Sequence, residues 1–382
     1  MTTPSSDQQD FLLRARELTH RANSLGSALV IEGHGSKDFY GNHPDSLNRP
    51  VDRLSTLAYS GVVSYDPTEL VAVVRSGTPI ETLEETLAQE GQMLAFDPPR
   101  LKGLGGRGTV GGMVASGLSG PRRISAGACR DFVLGLTVMG SDGECMRFGG
   151  TVMKNVAGYD VSRLHVGAMG SLGLILDVSL KVLPRPAAQV TVSVPLDAQQ
   201  AIERANEWMA QPLPIVATSW ESGDGRIRIW FAGARAAVDS ALSRFQKDPE
   251  LTQVQSLDSA AGESYWNALR DQTHAFFQSA KPLWRISVPT RTPPLPLQGD
   301  TVVEWAGGQR WLRSDEPAEH IRSVAQRAGG HATLYRCRTQ PHEPRAEAFS
   351  ELSSGLMAVQ RRIKNELDPG AVFNPGRLYR DL

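Results

Sequence analysis

The chain has 382 residues, enough for two domains rather than one core. Its 40% apolar and 21% charged residues fit an ordinary globular protein, and a net charge of −1 excludes a dedicated nucleic-acid or anionic-membrane binder, which needs a clustered basic excess. The opening MTTPSSDQQDFLLRAREL has no basic stretch followed by an apolar one, and no segment is apolar for long enough to cross a bilayer. The expectation is therefore a cytoplasmic protein without direct membrane insertion. Cys129, Cys145 and Cys337 stand far apart with no C-x-x-C pair, so the chain is expected to ligate no iron–sulfur cluster or structural zinc and to carry no disulfide framework.

In chain order, the apolar run Ala28 to Ile31 leads into Glu32-Gly33-His34-Gly35-Ser36-Lys37, a loop suited to backbone contact with phosphate. Leu70 to Val74 reads as a buried strand. Thr78-Pro79-Ile80-Glu81 reads as a capping box opening a helix whose apolar face is Ile80, Leu83 and Leu87, with Gly91 as its stop.

Then comes KGLGGRGTVGGMVASGLSGPRR, Lys102 to Arg123. Gly103-Leu104-Gly105-Gly106-Arg107-Gly108 spells the dinucleotide fingerprint G-x-G-x-x-G, yet that motif needs a strand running into it. Asp97-Pro98-Pro99-Arg100 cannot supply the ladder donors of a central strand. No P-loop sequence occurs either. What remains is a run of amides that no Cβ screens from a polyanion, with hydroxyls on Thr109, Ser116 and Ser119; tight helix packing or a plain surface loop is the alternative.

Phe132 to Met139 and Glu144 to Phe148 flank Ser141-Asp142-Gly143 as a hairpin. A short helix, a glycine-serine turn and an apolar strand from Leu172 to Leu183 follow, and Pro184 and Pro186 mark a domain boundary. Beyond it, Val190 to Val194, a helix Ala198 to Met209, a hairpin Ile215 to Glu221 with Arg226 to Phe231, a helix Ala236 to Phe245 and a strand near Gln253 give the ferredoxin-like order β-α-β-β-α-β. Further strands are expected at Trp284 to Val288, Val302 to Trp305, Gln309 to Leu312 and Ala332 to Arg336. A helix is expected from Ala346 to Leu367, followed by the turn-rich end DPGAVFNPG.

VSYDPTELVAVVRSGTPIETLEETL, GTVGGMVASGLSGPRR, RDFVLG, MKNVAGYDVSRL, GSLGLILDVSLKVLPRP and the terminal DPGAVFNPGRL together resemble the vanillyl-alcohol-oxidase type flavoproteins, whose FAD-binding domain is called the PCMH type. Within them they resemble the E-type FAD-binding subunits of bacterial glycolate oxidase, or glycolate dehydrogenase. The resemblance implies an α+β protein with a two-subdomain PCMH-type FAD-binding domain over residues 1–186, a ferredoxin-like α+β substrate or cap domain over 187–366, and a tail, 367–382, returning to the FAD domain. Carried over by position, Gly33, His34, Gly35 and Ser36 correspond to the first phosphate loop, Thr109, Gly111, Gly112, Ser116 and Gly117 to the second, and Gly173 and Leu174 to the place where backbone meets the flavin. The usual triple glycine is broken here by His34, and the position of the flavin-linking histidine in berberine-bridge relatives is Ser36, so the FAD is expected to be non-covalent.

Dehydrogenating a 2-hydroxy acid requires a hydride acceptor, a base for the hydroxyl proton and a cation for the carboxylate. Arg285 and Arg336 lie in apolar strand contexts where an unpaired charge is costly, which makes them the candidate carboxylate anchors, and His331 is the candidate base. A salt bridge for either arginine, or an ordinary partly buried histidine, is the alternative. Lys154, Asn155, Tyr159 and Asp160 offer polar contacts near the ring, although capping and turn formation account for Asn155 and Asp160 as well. The histidine pair and acidic-histidine motif that bind metal in the sister subunit and in related dehydrogenases have no counterpart here, and no metal is expected.

The resemblance implies an FAD-containing chain that oxidises glycolate to glyoxylate, with a sister FAD subunit and an iron–sulfur subunit as partners, at most peripheral to the membrane through that complex. A flavin relay fed by the sister subunit, a non-catalytic assembly subunit, and a nicotinamide-dependent dehydrogenase are the alternatives.

Overall fold

The computed structural model describes residues 5–42, 49–103, 106–151, 160–337 and 346–382. They form two compact units. The first comprises Met1–Leu118, Ala128–Pro184 and Glu351–Leu382; the second comprises Ser119–Gly127 and Arg185–Ser350. Chain order and unit membership differ twice: the end of the glycine-rich stretch counts with the second unit, and the C-terminal helix and tail count with the first.

The first unit is built on a five-stranded antiparallel sheet in the order Val62–Asp66, Val71–Arg75, Leu174–Lys181, Val133–Met139, Cys145–Gly149. Its central strand, LILDVSLK, is buried on both faces, which explains a near-continuous apolar run where a half-exposed strand would alternate. A parallel pair, Ala28–Glu32 with Val51–Ser55, is covered by the helix Ser6–Leu25, which Ser5 and Gln8 start with a capping box. Phe11, Ala15, Leu18 and Ala22 of that helix share one core with Leu29, Leu54, Met139, Leu174, Leu176, Val372 and Phe373.

The helix Ile80–Gln89 buries Ile80, Leu83 and Leu87 completely, roughly 1.5–3 kcal/mol of transfer free energy for each side chain. Its expected capping box does not form. Pro79 is the N-cap and makes no side-chain cap bond; the Thr78 hydroxyl instead donates to the Arg75 carbonyl at 2.7 Å and accepts from the Gly61 amide at 2.8 Å. Tertiary pairing has taken the hydroxyl that the local motif would use.

The second unit carries an eight-stranded antiparallel sheet in the order Gln255–Leu257, Ala188–Pro195, Arg226–Gly233, Ile215–Glu221, Asp300–Glu304, Gln309–Arg313, Leu283–Ser287, His331–Arg336. The first four strands, with helices Ala198–Met209 and Arg235–Lys247, have the ferredoxin-like arrangement, and the last four extend it. Helices Ser259–Arg270 and Ala318–Arg327 join these elements. The helix expected from Ala346 begins only at Ser354. Leu334 donates to the Ala348 carbonyl at 2.8 Å and the Ser350 hydroxyl donates to the Ala332 carbonyl at 2.8 Å, so a helix-prone stretch is drawn out along a strand.

Candidate cofactor cleft and carboxylate clamp

In the first unit, the strand Ala28–Glu32 ends in the turn Gly33 to Ser36. Gly35 takes φ +65, a left-handed conformation that glycine adopts without Cβ strain. The backbone amides of His34, Gly35 and Ser36 have no acceptor among the described residues. A loop of unsatisfied amides with alternating backbone handedness is an anion-binding concavity.

Opposite this loop, Thr109 caps the helix Val110–Ser116 by accepting from the Gly112 amide at 3.2 Å, and the Gly111 amide donates to the Ser76 carbonyl at 2.7 Å. Met169, Gly170 and Gly173 close a third side. The fourth comes from the C-terminus: the Asn374 side chain accepts from the Ile31 amide at 2.8 Å and donates to the Met169 carbonyl at 2.7 Å. Together they enclose an open cleft of about 1050 Å³, which Lys37, Arg53, Pro375 and Arg377 also line.

Nine of the eleven expected cofactor residues line this cleft: Gly33, His34, Gly35, Ser36, Thr109, Gly111, Gly112, Ser116 and Gly173. Two do not. Gly117 is the left-handed C-cap of the helix Val110–Ser116, and the Leu174 side chain is fully buried in the core. Ser119 belongs to the second unit. Lys154, Asn155 and Tyr159 lie outside the described residues, and Asp160 is exposed, accepting from Ser162 at 2.9 Å and pairing with Arg163 at 3.2 Å.

On residues that line the cleft, two buried polar atoms, the Ser76 hydroxyl and His34 Nδ1, have no hydrogen-bond partner among the described residues. Unpaired buried polar atoms are costly unless a ligand completes them. With the open amides, they fit the pyrophosphate and polar edge of FAD. Sequence reading missed Ser76, Lys37, Met169, Asn374 and Arg377. Lys37 was read only as the end of the phosphate-suited loop, and Asn374 and Arg377 only as part of the terminal DPGAVFNPGRL, with no role of their own.

In the second unit, Arg285 and His331 share a sheet face. Arg285 stands opposite Thr333 and Ser287 opposite His331, one diagonal step apart. The Arg285 guanidinium lies over the Trp305 ring at 5.4 Å, and its Nε donates to Gln309 Oε1 at 2.6 Å. Gln309 in turn donates to Glu304 at 2.9 Å, and the Trp311 indole donates to the same carboxylate oxygen at 2.6 Å. Glu304 is 3% exposed. The chain Glu304–Gln309–Arg285 therefore fixes one edge of the guanidinium, while its two terminal nitrogens have no acceptor among the described residues. That is the arrangement a bidentate carboxylate takes.

Trp305 and Ala306 both have left-handed φ, 54 and 52, which costs about 1–3 kcal/mol each for non-glycine residues and is commonest at functional sites. His331 reaches solvent on one side. Lost hydration on the other, and the Arg285 charge, hold its pKa below 6.5. Arg336 has a different engagement, donating to Gln272 Oε1 at 2.6 Å, and no contact joins it to Arg285.

Among the described residues no group of three or more histidine, cysteine or acidic side chains is placed to hold a metal, and no helix is long and apolar enough to cross a membrane.

The FAD binding domain family matches residues 52–149. The chain is 40% identical to the glycolate oxidase component GlcE of Escherichia coli, over 98% of this chain and 99% of that protein. It is 35% identical over 133 residues to the glycolate oxidase component GlcD of Bacillus subtilis, covering 34% of this chain and 27% of that one. Among solved structures, p-cresol methylhydroxylase with substrate bound superposes with TM-score 0.69 at 13% identity, covering 97% of this chain and 87% of that one. The 4-ethylphenol oxidase of Gulosibacter chungangensis gives 0.67 at 14%, covering 97% and 88%. At such identities these structures show the fold alone: a mixed α+β flavoenzyme fold of the PCMH type over nearly the whole chain.

Proposed function

Because the chain belongs to the GlcE family of glycolate oxidase components, which are FAD-linked oxidoreductases, we propose that it binds FAD non-covalently and oxidises glycolate, a 2-hydroxy acid, to glyoxylate within a complex that includes a sister FAD subunit and an iron–sulfur subunit. The observation that carries this reading is the full-length likeness to a glycolate oxidase component, joined to a cleft whose open amides and orphaned Ser76 and His34 atoms suit a pyrophosphate-bearing cofactor.

FAD, when bound, supplies hydride acceptance, chemistry that belongs to the cofactor. The loop His34 to Ser36 would hold its pyrophosphate through backbone amides, with Gly173 on the lining of the same cleft. Ser36 offers no imidazole for a covalent link. Arg285 takes the substrate carboxylate in bidentate fashion, with Gln309 and Glu304 as positioning residues. His331, held below its usual pKa, is uncharged at neutral pH and accepts the proton of the 2-hydroxyl as the C2 hydride leaves. Arg336, committed to Gln272, is a lesser candidate for the same carboxylate.

The test is anaerobic spectroscopy of the purified chain reconstituted with FAD. Bleaching of the flavin bands by glycolate supports direct oxidation. Flavin that binds but stays oxidised transfers the chemistry to the sister subunit and leaves this chain an electron relay, while no FAD binding overturns the cofactor reading.

A further inference from the structure

Lys37 directly follows the first glycine loop and lines the cleft, yet it is only 8% exposed. Its Nζ lies against Gly108, and among the described residues its one hydrogen-bond partner is the Ser36 hydroxyl at 3.4 Å. No described carboxylate stands within ion-pair range of it.

The same unit contains another buried lysine for comparison. Lys364, 4% exposed, is fully compensated: it pairs with Asp368 at 2.8 Å and donates to the carbonyls of Ser171 at 2.5 Å and Phe373 at 3.1 Å. A lysine buried for structural reasons is paired in this way, because an uncompensated buried charge is costly. The two arginines on the cleft have protein partners. Arg53 pairs with Glu32, and Arg377 donates to the carbonyls of Asn42, Lys37 and Asp38.

We propose that Lys37 is the counter-ion of the FAD pyrophosphate, the one charged member of a cradle otherwise made of the amides of His34, Gly35 and Ser36 and the Ser76 hydroxyl. This rests on the FAD reading above and adds to it a cation that the glycine loops alone do not supply.

Burial lowers the Lys37 amine to about 8 in the ligand-free protein. The titratable and charged groups around it are the Cys129 thiol, pushed up by burial to about 12, His34 and Asp38 on its own loop, and Arg53 and Arg377 across the cleft. An anion beside Lys37 restores its proton. Affinity is therefore level below pH 8 and falls as pH rises above it, where binding must take up that proton.

The experiment titrates the full chain and its Lys37→Met and Lys37→Arg variants with FAD and with ADP-ribose, which has the pyrophosphate but no flavin. Lys37→Met is expected to bind both about ten- to a hundredfold more weakly, the loss of a charge-assisted contact. It should melt, without ligand, at the same or a higher temperature, since a costly charge has gone, and Lys37→Arg should recover part of the affinity. In the wild type, ADP-ribose binding should weaken between pH 7.5 and 9.5.

A Lys37→Met variant that keeps wild-type affinity for FAD, or loses FAD but not ADP-ribose, overturns the assignment. If that variant does not fold, the wild-type pH dependence decides, and a flat profile overturns it. A wild type that binds ADP-ribose but not FAD sinks the FAD reading itself, a result distinct from any failure of Lys37.

Discussion

Arg285 is held at one edge and open at the other, and that asymmetry makes it testable. Its charge also reaches His331, so the two are coupled. Replacing Arg285 with methionine removes a positive neighbour, and the His331 pKa should rise towards its ordinary 6.5 because the protonated ring is no longer repelled. A histidine-selective NMR titration reads this directly. In the wild type, glycolate-dependent flavin reduction should climb through a pKa below 6.5 and level off towards neutral pH, and in the variant the remaining activity should shift its acid limb to higher pH. An unmoved imidazole titration would separate the two residues and remove His331 from the proposed proton path. Gln309→Leu tests the support behind the guanidinium: Arg285 keeps its charge but loses the 2.6 Å bond that aims it. The expected result is an about tenfold higher glycolate requirement with unchanged FAD affinity. Gly173 argues from backbone alone. At φ +149, a Cβ there would stand 2.5 Å from Val138, so Gly173→Ala should destabilise the first unit by about 1–3 kcal/mol in chemical denaturation.

Among the elements, the C-terminal helix Ser354–Leu367 and the segment after it are joined by one buried ion pair. Asp368 accepts from Lys364 and from the amides of Val372 and Phe373 at 3.0 and 2.9 Å, so a single carboxylate fixes the turn that delivers Asn374 to the cleft. Lys364→Met leaves that carboxylate buried without its cation and should cost about 3–5 kcal/mol of unfolding free energy, against near neutrality for an exposed pair such as Arg14–Glu17. How much of this was legible varied with the range of the interaction. The helix Ala198–Met209 and the strands of the second sheet were readable because their apolar periodicity matches their burial. Nine cleft residues were placed by the resemblance to the flavoproteins, which added positions to loops whose glycines and hydroxyls only suggested backbone contact. Asn374 and Lys37 were not, because their value depends on what lies across the cleft. The box at Thr78 and the helix start at Ala346 misled for one physical reason. In each case a local preference lost to a partner distant in sequence, Gly61 for Thr78 and the strand His331–Arg336 for residues 348–350.

At the scale of the whole molecule, the first unit is discontinuous: Glu351–Leu382 returns to it after the second unit has been completed. The return is part of the sheet and of the site. Leu29 donates to the Val372 carbonyl at 2.8 Å, Asn374 donates to Leu29 at 3.1 Å, and Ile31 depends on the Asn374 side chain. A fragment of residues 1–186, the FAD domain by chain order, would therefore leave the amides of Leu29 and Ile31 without acceptors at the strand that launches the first phosphate loop, at about 1–3 kcal/mol for each. It would also lack Asn374, Pro375 and Arg377 from the cleft wall. Such a fragment should bind FAD at least about a hundredfold more weakly than the full chain, which two lost bonds of that size alone would produce. Fluorescence titration of both proteins with FAD measures the difference. Adding the separate 351–382 peptide in trans should recover part of it if the tail is a wall of the site. Recovery of thermal stability without recovery of affinity would mean that the tail braces the strand Ala28–Glu32 and that the loop Gly33 to Ser36 carries the cofactor unaided.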